Sequence, residues 1–514
     1  MSYFEHQNQS QSNNQQFSQF SPKTNTIINN SLPTPPPSHS TSPAPFDRQN
    51  SIFESLPQLK HGSVDRQLYN HLKSLDSQLD PDLNEEHAFF VADLSSVYKQ
   101  HLRWKSELPR IEPFFAVKCN PDPYVIRLLA GLGLGFDCAS QSEINSIINL
   151  PSNVPATHSP SNNIIFANPC KPASMIKHAR NNQVTMMTFD NTDELRKIAK
   201  IYPNAQLIIR ILTDDSKSVC RFGIKFGAPL EAVPHLLSTA KNLGLNVIGV
   251  SFHVGSGCYD PQSYVDAIQR SKKTFEIGEQ FGFKFDLLDV GGGFGHDNFE
   301  LLARSLGPSV DKEFPIESGV RVIAEPGRFY VHDAFTLATN IIAKRGSDED
   351  DIDDSDGNQA TNENDEDDSP KVMLYQNDGV YGAFNCVMFD HAEPKSRILT
   401  HQSKIILDDE SLTESNVNQN LITCSIWGPT CDSLDCVMKY HKLPKGLEVG
   451  DWLRWDQMGA YTICAASTFN GFKRADVIYT CGEENKDSQS VRDILELSAP
   501  DVQGLINYPT SSEV

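Results

Sequence analysis

No run of apolar residues in this chain approaches the roughly 20 needed to span a bilayer. The N-terminus has no cationic start followed by an apolar stretch, so it does not read as a secretory signal. It is also poor in Arg, unlike a mitochondrial presequence. The expectation is a soluble, cytoplasmic protein. The eleven cysteines show no C-x-x-C spacing or pairing rhythm, which predicts reduced thiols. No Cys/His cluster has zinc-site spacing, so no metal is expected. Positive charge is scarce: 44 Lys and Arg stand against 66 Asp and Glu, a net charge of −22, which disfavours nucleic-acid binding. Twelve of those carboxylates lie in 347–369, and without them the net charge is −10. A Walker A sequence and a G-x-G-x-x-G fingerprint are missing too, which excludes the usual nucleotide sites.

The chain's 514 residues suggest two domains plus unstructured parts. Residues 1–50 are rich in Gln, Asn, Ser and Pro and cannot bury enough surface to fold, so a disordered tail is predicted. Segment 347–369 is predicted disordered by charge repulsion, and 483–514 reads as a flexible C-terminal tail. Between them, β-rich runs at 113–117, 164–167, 184–188, 207–212, 247–252, 286–290 and 321–324 alternate with helix-length segments. That pattern predicts a parallel sheet closed into a (β/α)8 barrel over 94–334. Runs at 372–376, 421–427, 451–455 and 461–466 follow without long helices. They predict a second, mostly antiparallel β-domain made of 51–93 and 335–482.

Several strand ends carry residues that a scaffold alone does not need. Lys118 ends an apolar run and is followed by Cys119, Asn120 and Pro121. It is either paired with an acid or used as an amine at the C-terminal rim of a barrel, where desolvation would free it for carbonyl chemistry. His253 heads a Gly255-Ser256-Gly257 loop. Gly291, Gly292 and Gly293 follow Asp289 and Val290, and their backbone N–H groups can approach an anion closely. Glu325 precedes Pro326, Gly327 and Arg328; a buried glutamate can hold a proton on a heteroaromatic nitrogen, and Arg suits a phosphate. The plain alternatives are a core histidine, a glycine turn and a Glu–Arg salt bridge. In the β-domain Cys431 stands beside Asp432; the plain alternatives are an accident of a turn or a buried structural Cys.

Together these motifs, with 135–144, 164–171, 213–227, 377–386 and 458–472, resemble the pyridoxal-phosphate (PLP) decarboxylases of the alanine-racemase-like fold. Within them the chain is most similar to the eukaryotic, fungal-type ornithine decarboxylases, over about residues 85–480. The resemblance implies decarboxylation of L-ornithine to putrescine and CO2, the entry to polyamine biosynthesis. It implies that Lys118 carries the cofactor covalently, His253 stacks on its ring and Glu325 pairs with the ring nitrogen. Ser256, Gly291, Gly292, Gly293, Gly327, Arg328 and Tyr461 would hold the phosphate, with Asp137 and Arg210 close by. Cys431 would return a proton to the α-carbon. Asp390 and Asp432 would take the distal ammonium of the substrate. Phe389 departs from the Tyr that many family members carry there.

The resemblance also implies a homodimer with shared sites, in which Cys431 and Asp432 serve the partner's barrel. Segment 171–194, a surface helix and strand by pattern, matches the stretch through which relatives bind antizyme, which directs them to the proteasome. Two rival readings remain. One is a sister diaminopimelate or basic-amino-acid decarboxylase, of which the diaminopimelate enzymes typically carry Glu where Asp432 stands. An inactive antizyme-binding homologue would lack some of the residues named above.

Overall fold

Short runs of Val, Ile, Leu and Phe, each followed by a helix, pair side by side as parallel strands and close on themselves. This is seen in a computed structural model that describes residues 57–76, 87–151, 160–346, 370–406 and 421–497. The expected disordered segments 1–50 and 347–369 lie outside the described residues. The barrel strands are β1 (Glu112–Ala116), β2 (Gly135–Cys138), β3 (Ile164–Phe166), β4 (Met186–Phe189), β5 (Gln206–Arg210), β6 (Asn246–Ser251), β7 (Leu287–Asp289) and β8 (Arg321–Ala324). Each pairs in parallel with the next, β8 pairs with β1, and the ring is closed.

The lumen is plugged by Phe114, Ile165, Met186, Ile208, Leu287 and Ile323, all buried in one apolar cluster. Each such side chain contributes about 1.5–3 kcal/mol by leaving water. β2 offers Gly135 at this level, because a Cβ there would lie 2.5 Å from the Phe114 ring. This strand was absent from the sequence expectation: a Gly-Phe-Asp-Cys run has too little β-branched character to announce itself. Side chains alternate along a strand, so the residue two places on points the same way. Two places beyond Gly135, Ile208, Leu287 and Ile323 stand Asp137, Arg210, Asp289 and Glu325. The apolar plug is thus followed by a charged layer at the C-terminal mouth.

The second sheet has eight strands. Phe335–Arg345 is central, antiparallel to Phe89–Asp93, Val372–Gln376 and Trp452–Trp455. Leu421–Trp427 runs parallel to Val372–Gln376 and antiparallel to Cys436–Pro444. Phe89–Asp93 also pairs in parallel with Asp476–Thr480.

Three expectations are corrected. Segment 461–466 is no strand: Tyr461 has φ +56°, and a 3-10 turn covers Ile463–Ala465. The Tyr461 N–H donates to the carbonyl of Cys119 at 3.0 Å, which draws this segment off the sheet to the barrel mouth. Within the expected C-terminal tail, Lys486–Leu497 forms a helix whose Val491 and Leu495 are buried against the barrel helices. In 171–194, the helix Ala173–Asn181 has an exposed face, but the strand is β4, buried along its whole length.

Candidate active site

Lys118 sits in a single 3-10 turn, Val117–Cys119, at the end of β1. The turn is pinned on both sides. Asn120 donates its side-chain amide to the Gly459 carbonyl at 2.9 Å, and Asp122 caps the next helix through the N–H groups of Tyr124 and Val125. Lys118 Nζ lies 2.5 Å from Asp137 Oδ2. Burial works to lower the pKa of this amine, but Asp137, Tyr461 and Glu325 outweigh it and raise it above its ordinary value. The expected desolvation-freed amine is therefore corrected: without cofactor, Lys118 is a protonated partner of Asp137. The acid-pair reading of the misplaced cation is what the fold shows, and the acid that pairs with it belongs to the charged layer at the barrel mouth.

Behind Lys118 lies a carboxyl cluster. Asp137 and Asp289 are each 1% exposed and Glu325 8%. Burial first, then Asp289 and Asp137, push Glu325 well above the ordinary carboxylate range. Burial pushes Asp289 up to about 7. Asp289 Oδ1 accepts the Gly291 N–H at 2.9 Å. Asp289 Oδ2 and Glu325 Oε1 are buried without a donor from the rest of the protein. The two carboxyl groups are in hydrogen-bonding reach of one another, and a proton held between them relieves both. Asp289 was not given a role by sequence reasoning. The signal was available, because Asp289 stands two places beyond lumen-facing Leu287, as Glu325 stands beyond Ile323 and Asp137 beyond Gly135.

His253 follows β6. Burial, then the positive Arg210 and Lys118, hold its imidazole well below its usual pKa, so it is neutral. Its Nδ1 accepts the Gly255 N–H at 2.9 Å. Arg210 packs over the Phe226 ring at 5.2 Å. Gly291 and Gly293 have φ of +65° and +116°, which L side chains resist. A Cβ on Gly292 would lie 2.8 Å from His253 Nε2. A Cβ on Gly327 would lie 2.9 Å from that of Cys119.

A cavity of about 520 Å³ opens beside this cluster, lined by Ser256, Gly257, Arg328, Asp390 and His332 but not by Lys118 or Glu325. It is the polar end of the site. Arg328 Nη2 lies 2.5 Å from Asp390 Oδ2, and its guanidinium packs over the Tyr461 ring at 5.2 Å.

Cys431 is exposed. Its loop is organised by Asp435, 1% exposed, which accepts from Val380 N at 2.8 Å and from Thr430 N at 3.0 Å. Asp432 accepts a hydrogen bond from Tyr381 Oη. Phe389 is 75% exposed, at the end of the helix Asn385–Phe389. Among the described residues, no hydrogen bond or ion pair joins Cys431 or Asp432 to Lys118, His253 or Glu325. One chain therefore gathers Lys118, Asp137, Arg210, His253, Glu325, Arg328, Asp390 and Tyr461 at one mouth, with Cys431 and Asp432 on a separate exposed loop.

Residues 94–332 match the family model for the pyridoxal-dependent decarboxylase, pyridoxal binding domain. The ornithine decarboxylase of Schizosaccharomyces pombe is 48% identical over 76% of this chain and 83% of its own length. Antizyme inhibitor 2 of Xenopus laevis is 48% identical, over 76% of this chain and 80% of its own. Among solved structures, the arginine decarboxylase of Paramecium bursaria Chlorella virus superposes with a TM-score of 0.68 at 32% identity, covering 81% of this chain and 100% of that one.

Proposed function

We propose a division of labour among these residues from one premise: the chain belongs to the pyridoxal-phosphate-dependent decarboxylases, within the ornithine decarboxylase family. It is a carboxy-lyase that converts L-ornithine to putrescine and CO2 with PLP as cofactor. The residues at the barrel mouth fit that cofactor. There is a lysine amine, a pair of buried carboxyls short of a donor, a neutral imidazole beside a glycine run without Cβ atoms, and an arginine at a polar cavity. The bound cofactor supplies an electron sink for the pair left on the α-carbon when CO2 departs.

Lys118 holds the cofactor covalently, and its extra proton has an acceptor in contact, Asp137 Oδ2. Glu325 meets the ring nitrogen, with Asp289 as its positioning partner. His253, uncharged, stacks on the ring. Ser256, Gly291, Gly292, Gly293, Gly327, Arg328 and Tyr461 hold the phosphate. Asp390 and Asp432 bind the distal ammonium of ornithine by charge-assisted hydrogen bonds, with Phe389 bordering that end. Cys431 delivers the proton to the α-carbon. The single observation that carries this reading is the Lys118–Asp137 pair set against the Asp289–Glu325 carboxyl pair. Borohydride trapping is the test. Labelled cofactor fixed at Lys118, with putrescine formed faster than cadaverine or agmatine, is expected. Label elsewhere, or a preference for diaminopimelate, refutes it.

In this reading residues 94–334 form the cofactor domain. Residues 51–93 and 335–482 form the domain that reaches a second copy in a cytoplasmic homodimer. The exposure of Cys431 and of apolar Phe389, Leu434 and Tyr440 supports it, since such groups are candidates for burial between subunits. Mixing Lys118→Ala chains with Cys431→Ala chains restores activity if sites are shared, and no recovery overturns the dimer reading. The exposed face of Ala173–Asn181 carries Lys177 and Arg180 and suits an acidic partner such as antizyme. Loss of pull-down after reversing both charges is the check. The likeness to antizyme inhibitor 2 favours no inactive reading, because every residue given a chemical role is present.

A further inference from the structure

His296, His332 and Asp333 come from two segments that are distant in sequence, and no motif spacing links them. In the fold their ligand atoms all lie within 4.8 Å of one another. Asp333 Oδ1 is the focus. His332 Nδ1 lies 3.0 Å from it, Gln457 Nε2 3.1 Å and His296 Nε2 4.0 Å. The two imidazole rings stack face to face, with centroids 4.8 Å apart and an interplanar angle of 11°. A tetrahedral zinc ion bonded at its usual lengths has ligand atoms roughly 3.3 Å apart. The 3.0 and 4.0 Å distances bracket that value, and one imidazole turns out of the stack for both lone pairs to meet at one ion.

The backbone under both histidines is fixed. The His296 carbonyl accepts from Arg103 Nη2 at 2.7 Å, and the His332 carbonyl accepts from Gly459 N at 3.2 Å. Both imidazoles line the 520 Å³ cavity, from which water reaches an open fourth position. Two imidazoles and one carboxylate suit zinc, cobalt or nickel rather than magnesium or calcium.

We propose that His296, His332 and Asp333 form a binding site for one divalent transition-metal ion of the zinc, cobalt and nickel class. The ion ties the segment that follows the Gly291–Gly293 run by three residues to the segment that carries Arg328. The site itself does not depend on the assignment of either segment to the phosphate. The earlier absence of zinc-site spacing reflects only that the ligands are assembled in three dimensions.

The test uses the holoenzyme after chelator dialysis, titrated with Co2+ alone and then with Zn2+. One Co2+ per chain is expected, with a weak visible band of N/O-ligated Co2+ that Zn2+ abolishes. His296→Ala and His332→Ala each lower Co2+ affinity at least about tenfold, the scale on which even supporting groups of metal sites matter. Asp333→Asn, nearly isosteric, does the same while circular dichroism stays native. Zn2+ raises the melting temperature of the wild type and not of these variants. Wild-type chains that bind no Co2+, variants that bind it unchanged, or a thiolate charge-transfer band pointing to exposed Cys431 each overturn the site.

Discussion

Replacing Asp289 with Asn tests the carboxyl pair without touching the amine that holds the cofactor. In the cofactor-free protein Asp289 is raised from 3.8 to about 7 by burial. A raised carboxyl binds a proton more tightly folded than unfolded. It therefore adds stability that is fully present below about pH 4 and is lost as pH rises through about 7. A shift of about three units corresponds to roughly 4 kcal/mol at 1.36 kcal/mol per unit. Because the proton is shared with Glu325, that figure belongs to the pair and is counted once. Asp378, also raised by burial to about 7, contributes the same slope to wild type and variant and cancels in the difference. Urea unfolding of the apoprotein at about pH 5 and about pH 8 reads both slopes. From pH 5 to pH 8 only the last two or so of those three units are crossed, so wild type is expected to lose about 2.6 kcal/mol more than Asp289→Asn across that range. Equal slopes would refute the shared proton.

Gly292→Ala places a Cβ 2.8 Å from both His253 Nε2 and the Glu325 carbonyl. It should cost about 1–3 kcal/mol and weaken cofactor retention, read by absorbance after gel filtration. Asp432→Asn removes a charge-assisted bond of about 1.5–3 kcal/mol, so KM for ornithine should rise about 10- to 100-fold. An unchanged KM removes Asp432 from the distal pocket. Cys431→Ala should lower putrescine formation about 10²- to 10⁴-fold with the cofactor still bound, measured by product chromatography. Val491→Asp puts a charge into a fully buried position of the C-terminal helix and should lower the melting temperature, whereas a free tail would not respond.

Much of the barrel was legible because its strands are apolar runs whose period separates them from helices. β2 was not, because what fits beside Phe114 is a glycine, and only the neighbouring strand reveals that. Lys118 was legible as an anomaly, yet its state was not, since burial and three nearby groups act in opposite directions and their balance depends on distances. The strand expected at 461–466 failed because a tertiary hydrogen bond from Tyr461 to Cys119 outweighs local β-propensity. The helix at 486–497 was missed because its few apolar residues look weak until the surface they cover is known.

The sequence by itself determined which chemistry is available: an amine, a histidine, carboxyls, glycines able to cradle an anion, and a Cys-Asp pair. Each follows from residue type and from its place after an apolar run. Only the tertiary structure decided who faces whom. Closing the ring put Asp137 on Lys118 and Asp289 on Glu325, and it brought His296 to His332 and Asp333. It left Cys431 and Asp432 on an exposed loop that, among the described residues, no hydrogen bond or ion pair joins to Lys118, His253 or Glu325. The physical reason is that alternation along one strand fixes a direction, while the partner in that direction is set by the register of the next strand.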